Sequence, residues 1–196
     1  IMNLPVTTII AGIGLGYADA GPTHYATEDQ ACLRSMIGSK VYTASDSIVS
    51  SKLAQHLLSN NEFSFVRLER LNVENIHKKN LSASDIKKGY KYLFKNKSSK
   101  TLVISQGYQT NRICNFLKTT NINKKFDLID IIRSKPLDVS IINIIKKYKK
   151  VIIVDEQIES SSLTSIIGEK LISTNFQTKI IPFSLNENHV FENGGR

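Results

Sequence analysis

His24 closes the stretch Gly21-Pro22-Thr23-His24, in which the loosest and the stiffest residues of the chain stand side by side. Pro22 fixes its own φ and biases the residue before it away from helix, while Gly21 leaves freedom for a turn. The imidazole is delivered just beyond a β-branched run and ahead of a helix start, where open α/β sheets bind ligands. Near neutral pH such a ring accepts or donates a proton. The plainer alternative is a structural histidine. Arg67 and Arg70, in Phe65-Val66-Arg67-Leu68-Glu69-Arg70, form a second set. Their planar forks suit phosphate, and the alternative is an ion pair with Glu69 or a helix carboxylate. The third set is Gly12-x-Gly14-x-Gly16, which follows a strand as a dinucleotide loop does. The dinucleotide fingerprint needs a third glycine where Tyr17 or Asp19 stands, and it opens directly into a helix. Here the helix signal comes some ten residues later, which favours a loop needing positive φ or close backbone approach.

These residues need a scaffold, and the patterning supplies one. Val6 to Ala11 is expected as a strand, and Thr27-Glu28-Asp29-Gln30 as a capping box opening a helix that stops at Gly38. A strand is expected over Lys40 to Thr43. Val49, Leu53 and Leu57 mark one face of a helix from Asp46, and Phe63 to Leu68 reads as a strand. Single helices between short strands imply parallel pairing. Residues 72–100 are polar and lysine-rich and read as a connector, with a helix from Ser84 to Phe94 capped by Ser84-Asp85. A second alternating unit follows. Its strands are expected at Thr101 to Ser105, Phe126 to Ile132, Val151 to Val154 and Thr178 to Phe183. Its helices are expected at Thr110 to Leu117, Leu137 to Tyr148 and Leu163 to Leu171. Residues 1–70 hold too few strands to cover a parallel sheet and are expected to be the tail of a larger domain.

Of 196 residues, 26 are basic and 17 acidic, a formal charge of +9. Ile76 to Lys100 carries eight lysines against one aspartate. Lysine without arginine is a poor base-reading surface, so the patch reads as solvated and no nucleic-acid partner is expected. Apolar runs are too short to cross a bilayer, and no membrane partner is expected. Cys32 and Cys114 make no disulfide framework, which implies a reducing, cytoplasmic setting.

In this order, several motifs resemble the transketolase family. In the first half they are Gly21-Pro22-Thr23-His24, Glu28-Asp29, Leu33-Arg34-Ser35, Asp46 and Arg67-Leu68-x-Arg70. In the second they are Ser105-x-Gly107, Lys135-Pro136-Leu137-Asp138, Val154-Asp155-Glu156 and the closing Phe191-Glu192-Asn193-Gly194-Gly195-Arg196. Deoxyxylulose phosphate synthases are similar through the first motif. The resemblance implies an α/β chain made of a partial parallel-sheet pyrimidine-binding domain and a small open α/β C-terminal domain. The expected division is 1–70, a connector at 71–99, and 100–196. It further implies a transferase moving a two-carbon ketol unit between sugar phosphates, with a deoxyxylulose-phosphate-synthase-like enzyme or a silent docking module as the alternatives. Thiamine diphosphate and Mg²⁺ would be held mostly by segments absent from this chain, in a homo-oligomer or a complex with an N-terminal transketolase subunit. His24 would face the reacting carbons and transfer protons. Arg70 would bind the sugar phosphate, with Arg67 the second choice. The family's aspartate before Gly-Pro-Thr-His is Ala20 here, and Asp19 stands one step earlier as its substitute on the substrate. Other departures are Ser161-Ser162-Leu163-Thr164 in place of Gly-Gly-Leu-Gly and the lack of a proline at Met36-Ile37-Gly38.

Overall fold

The computed structural model describes residues 4–78, 81–96, 98–120 and 125–194. The last two residues of the closing motif, Gly195 and Arg196, and three connector positions, Lys79, Asn80 and Lys97, lie outside the described residues.

Strand β1 (Thr7–Ala11), helix α1 (Asp29–Ser35), β2 (Lys40–Thr43), α2 (Ser47–Leu58) and β3 (Ser64–Leu68) follow the expected order. β1 and β2 both pair with β3 in parallel. Helix α2 forms where the four-residue apolar spacing predicts it. Val49 and Leu53 are buried, and Asp46 caps it by accepting from the Val49 amide at 2.9 Å.

The capping box at Thr27 does not form. The N-cap residue of α1 is Glu28, without a side-chain cap, and the Thr27 hydroxyl donates to Glu28 instead. Gln30, the other half of the expected box, is buried and bonded to residues far along the chain. Tertiary partners outcompete the local cap.

The connector is shorter than its composition suggests. Helix α3 is Ala83–Lys88, capped by Ser82 in a capping box with Asp85 and ended by Gly89 at φ +83°. The expected helix to Phe94 is therefore corrected: Tyr90–Phe94 is strand β4, which pairs antiparallel with β6 (Asp127–Ile131). Its signal is the aromatic alternation Tyr90, Tyr92, Phe94 at period two.

The second sheet adds β5 (Thr101–Ser105), β8 (Lys150–Ile158) and β9 (Lys179–Leu185), in the order β4-β6-β5-β8-β9. Helices α4 (Gly107–Thr119), α5 (Ser140–Ile145) and α6 (Leu163–Leu171) connect its parallel strands. Ile104, Ile129, Ile141 and Ile153, all fully buried, anchor the main core between this sheet and α5 and α6. One short strand escaped the sequence reading. β7 (Arg133–Lys135) leaves β6 and pairs antiparallel with β2, completing the four-stranded order β1-β3-β2-β7. The two sheets are thereby stitched by a single continuous segment.

Their carboxyl ends face each other. Gly107, just past β5, has φ +56°, and a Cβ there would lie 2.8 Å from Thr43 and 3.0 Å from Ile13 of the first unit. The polar groups past β5 and on β8 are tied to each other and, through Gln106, to the first unit. Gln106 donates to Gln30 at 2.9 Å and to both oxygens of Asp155 at 3.0 and 3.1 Å. Burial pushes the Asp155 carboxyl up, against these bonds and the charge of Arg67. The crevice in which an open α/β sheet ordinarily binds a ligand is filled, in the second sheet, by the first unit. No helix among the described residues is long and apolar enough to cross a membrane.

Candidate functional site

The site is built on the loop that leaves β1. Gly12 adopts φ +82° and Gly14 φ +57°, conformations that favour glycine. A Cβ on Gly12 would sit 1.9 Å from the Tyr17 ring, so the missing side chain lets Tyr17 fold back over the loop. This settles the glycine run as close backbone approach. No helix opens directly from it; a 3₁₀ turn at Pro22–His24 comes first, and α1 begins at Asp29.

Tyr17 in turn organises two of the expected residues. Its ring lies 5.6 Å from the His24 ring, centroid to centroid, tilted at 48°. The Arg70 guanidinium sits over its face at 4.7 Å, a cation–π distance.

Gly21-Pro22-Thr23-His24 forms the bend its residues predict. Gly21 has φ +76°, Pro22 starts a 3₁₀ turn, and the His24 amide donates to the Gly21 carbonyl at 3.0 Å. His24 is exposed, and its Nδ1 is 2.9 Å from the Thr23 hydroxyl. Nε2 has no hydrogen-bond partner among the described residues.

The two arginines separate. Arg67 is buried, at 1% exposure. Its Nε and Nη2 grip both oxygens of Asp29 at 2.8 and 2.9 Å, and Nη1 donates to Gln30 at 2.9 Å and Thr43 at 3.1 Å. Its donors are spent inside the protein, which matches the helix-carboxylate alternative rather than a substrate contact. Arg70 is exposed and pairs with Asp19 through its two terminal nitrogens, Nη1 donating to Oδ1 and Nη2 to Oδ2, the latter at 3.0 Å. The hydrogen bond from Arg70 holds the Asp19 carboxyl below its usual range, and Asp19 raises Arg70 in return.

Asp19 and Arg70 line an open cleft of about 510 Å³ together with Ala18, Leu71 and Asn193. Asn193 brings in a segment that the sequence reading did not place at the site. The Tyr25 hydroxyl donates to the Glu192 carbonyl at 2.6 Å, and the Gly194 amide to the Ala18 carbonyl at 3.1 Å. A Cβ on Gly21 would lie 1.8 Å from Asn193. The C-terminal tail thus straps the histidine loop from outside. Tyr25 and Glu192 are separated by 167 positions, so no local pattern reports the contact.

Among the described residues no group of three or more His, Cys, Asp or Glu could hold a metal ion. The available chemistry is one exposed imidazole and one paired guanidinium–carboxylate couple on a shared aromatic support. A proton can be moved at His24, and an anionic or hydroxylated ligand can be bound at Arg70 and Asp19.

No protein-family model and no curated protein sequence matches the chain. Solved structures do. A split-gene transketolase, described as an inactive β4 tetramer, is 17% identical over 93% of this chain and 58% of its own, with a TM-score of 0.74. Transketolase from Campylobacter jejuni is 17% identical over 95% of this chain and 27% of its own, at TM-score 0.68. Transketolase from Leishmania mexicana is 19% identical over 74% of this chain and 22% of its own, at 0.61. The chain therefore carries an α/β fold shared with transketolases, and spans 58% of the length of the split-gene relative and about a quarter of the other two.

Proposed function

We propose that this chain is the C-terminal part or subunit of a transketolase-like transferase that moves a two-carbon ketol unit between sugar phosphates. The observation that carries the reading is the placement of His24. Within a fold shared with transketolases, a tight turn presents an exposed imidazole against the same Tyr17 ring that carries Arg70, itself paired with Asp19.

Thiamine diphosphate, when bound, would supply the carbanion chemistry. Among the described residues no group of three or more His, Cys, Asp or Glu could hold its Mg²⁺; on this reading metal and diphosphate are held by other segments or another subunit. This chain's own residues do three things. His24 accepts or returns a hydroxyl proton of the sugar through Nε2, which has no hydrogen-bond partner among the described residues, while the Thr23 contact steadies Nδ1. Arg70 binds the sugar phosphate, drawing on the charge that Asp19 otherwise neutralises. Tyr17 keeps both at fixed separation.

The partners are an N-terminal transketolase subunit and further copies of this chain, the split-gene relative being a β4 assembly that is inactive as such. Cys32 and Cys114 are thiols rather than halves of a disulfide, which fits a cytoplasmic protein. The test is reconstitution. Mixed with the complementary transketolase half, thiamine diphosphate and Mg²⁺, the chain should transfer a ketol unit from a ketose phosphate to an aldose phosphate. An assembled complex that binds cofactor and sugar yet transfers nothing would refute the reading.

A further inference from the structure

His77 lies in the connector, outside the cleft, and is 4% exposed. Each of its ring nitrogens faces a carboxylate. Nδ1 is 3.1 Å from Asp46 Oδ2, within hydrogen-bond reach, and Nε2 is 3.4 Å from Asp130 Oδ2, an ion-pair distance without hydrogen-bond alignment. Asp46 belongs to the first unit, as the cap of α2. Asp130 belongs to the second sheet, on β6, and is fully buried. The same Asp46 oxygen accepts from the backbone amides of Ile76 at 2.8 Å and His77 at 2.7 Å. Asp130 is completed by the hydroxyls of Ser45 at 2.6 Å and Thr110 at 2.7 Å.

A neutral imidazole has one N–H and one lone pair. Set between two acceptors, it would aim that lone pair at one of them. Only the doubly protonated ring suits both sides, and its positive charge offsets two carboxylates removed from water. We infer that His77 is a proton-operated latch between the two sheets: as an imidazolium bridging Asp46 and Asp130 it fixes the connector that leads away from Arg70, and on losing its proton it releases that connector.

The electrostatics run the same way. Burial by itself would depress the His77 pKa, but the hydrogen bond to Asp46 and the charges of Asp130 and Asp46 outweigh it and raise the value above the ordinary 6.5. Lys91, on β4, opposes them weakly and is itself tied to Asp85. Burial pushes Asp130 up to about 6 against His77, Ser45 and Thr110. Burial would raise Asp46 too, but the bonds from His77 and Val49 bring it below 3.8.

The sign follows. His77 has a raised folded-state pKa, so its contribution is complete below 6.5 and disappears as pH rises through the folded value. Asp130 also binds its proton more tightly when folded, so its contribution falls between 3.8 and about 6. The bridge is therefore complete once Asp130 has ionised, above about 6, and is lost as the His77 imidazolium gives up its proton above 6.5. The other holds on the connector are Ser47 to Asn75, Asn111 to the Glu74 carbonyl, and an exposed ion pair between Lys118 and the Glu74 carboxylate at 2.5 Å.

The latch is independent of the proposed reaction and is tested on the full chain alone. The imidazole resonance of His77, assigned in the unmodified chain by through-bond NMR correlation to its own backbone, should titrate above 6.5, and Asp130→Asn should move it down. Amide protection of Ile76 and His77, corrected for intrinsic exchange, should fall on the order of tenfold per pH unit above the His77 pKa. In His77→Gln that fall should vanish. A resonance that titrates at or below 6.5 in the unmodified chain overturns the latch, as does amide protection independent of pH. The first measurement stands even if the variants do not fold.

Discussion

The ring of Tyr17 occupies the space that a side chain on Gly12 would need, with Cε2 only 1.9 Å from the position of the absent Cβ. Gly12→Ala should therefore act twice, by straining a φ of +82° and by dislodging Tyr17. We expect a loss of about 1–3 kcal/mol in urea unfolding. Gly12→Ala combined with Tyr17→Ala should cost less than the sum of the single changes, because the collision is then gone. Strict additivity would refute the steric account.

Arg67 holds Asp29, Gln30 and Thr43 from inside the first sheet. Arg67→Ala leaves these partners unsatisfied and should cost about 3–5 kcal/mol in denaturant unfolding. Arg67→Lys keeps the charge but loses the two-pronged grip, and should recover only part of the loss. A variant with native stability and weakened phosphate binding would return Arg67 to the substrate site.

His24 is exposed and its ring supports no core. His24→Ala should leave stability within about 0.5 kcal/mol of the native chain. In the reconstituted enzyme, turnover should fall by about 10²- to 10⁴-fold with sugar binding retained. Unchanged turnover would remove His24 from the mechanism.

Arg70 and Asp19 neutralise each other across the cleft. Arg70→Ala should weaken binding of a phosphorylated sugar by about 10-fold or more and spare its unphosphorylated counterpart, as calorimetry on the reconstituted complex would show. Asp19→Asn should do the opposite, tightening phosphate by releasing the guanidinium. Equal effects of Arg70→Ala on both sugars would show that phosphate is bound elsewhere.

The elements with strong local signals were legible. Leu163–Leu171 folds as the helix its apolar spacing predicts, and Gly21-Pro22 bends as glycine and proline dictate. Failures occurred where distant partners decide. Thr27 and Gln30 have the residue types of a capping box, but Arg67, Gln106 and the Ser161 carbonyl hold Gln30 elsewhere. β7 is three polar residues whose only reason to extend is β2, far away in sequence. At the site, the types of His24, Arg70 and Asp19 could be read from the chain. Tyr17 as their common support, and the tail that carries Asn193, could not, because rings and straps meet through space rather than through spacing.

The blocked mouth of the second sheet bears on how this chain could acquire a new role. With Thr43 and Ile13 wedged against Gly107, substitutions around the end of β5 cannot by themselves open a berth for a small molecule. Any such innovation would have to begin by prising the neighbours apart, so a change on one side of the joint would need a matching change on the other.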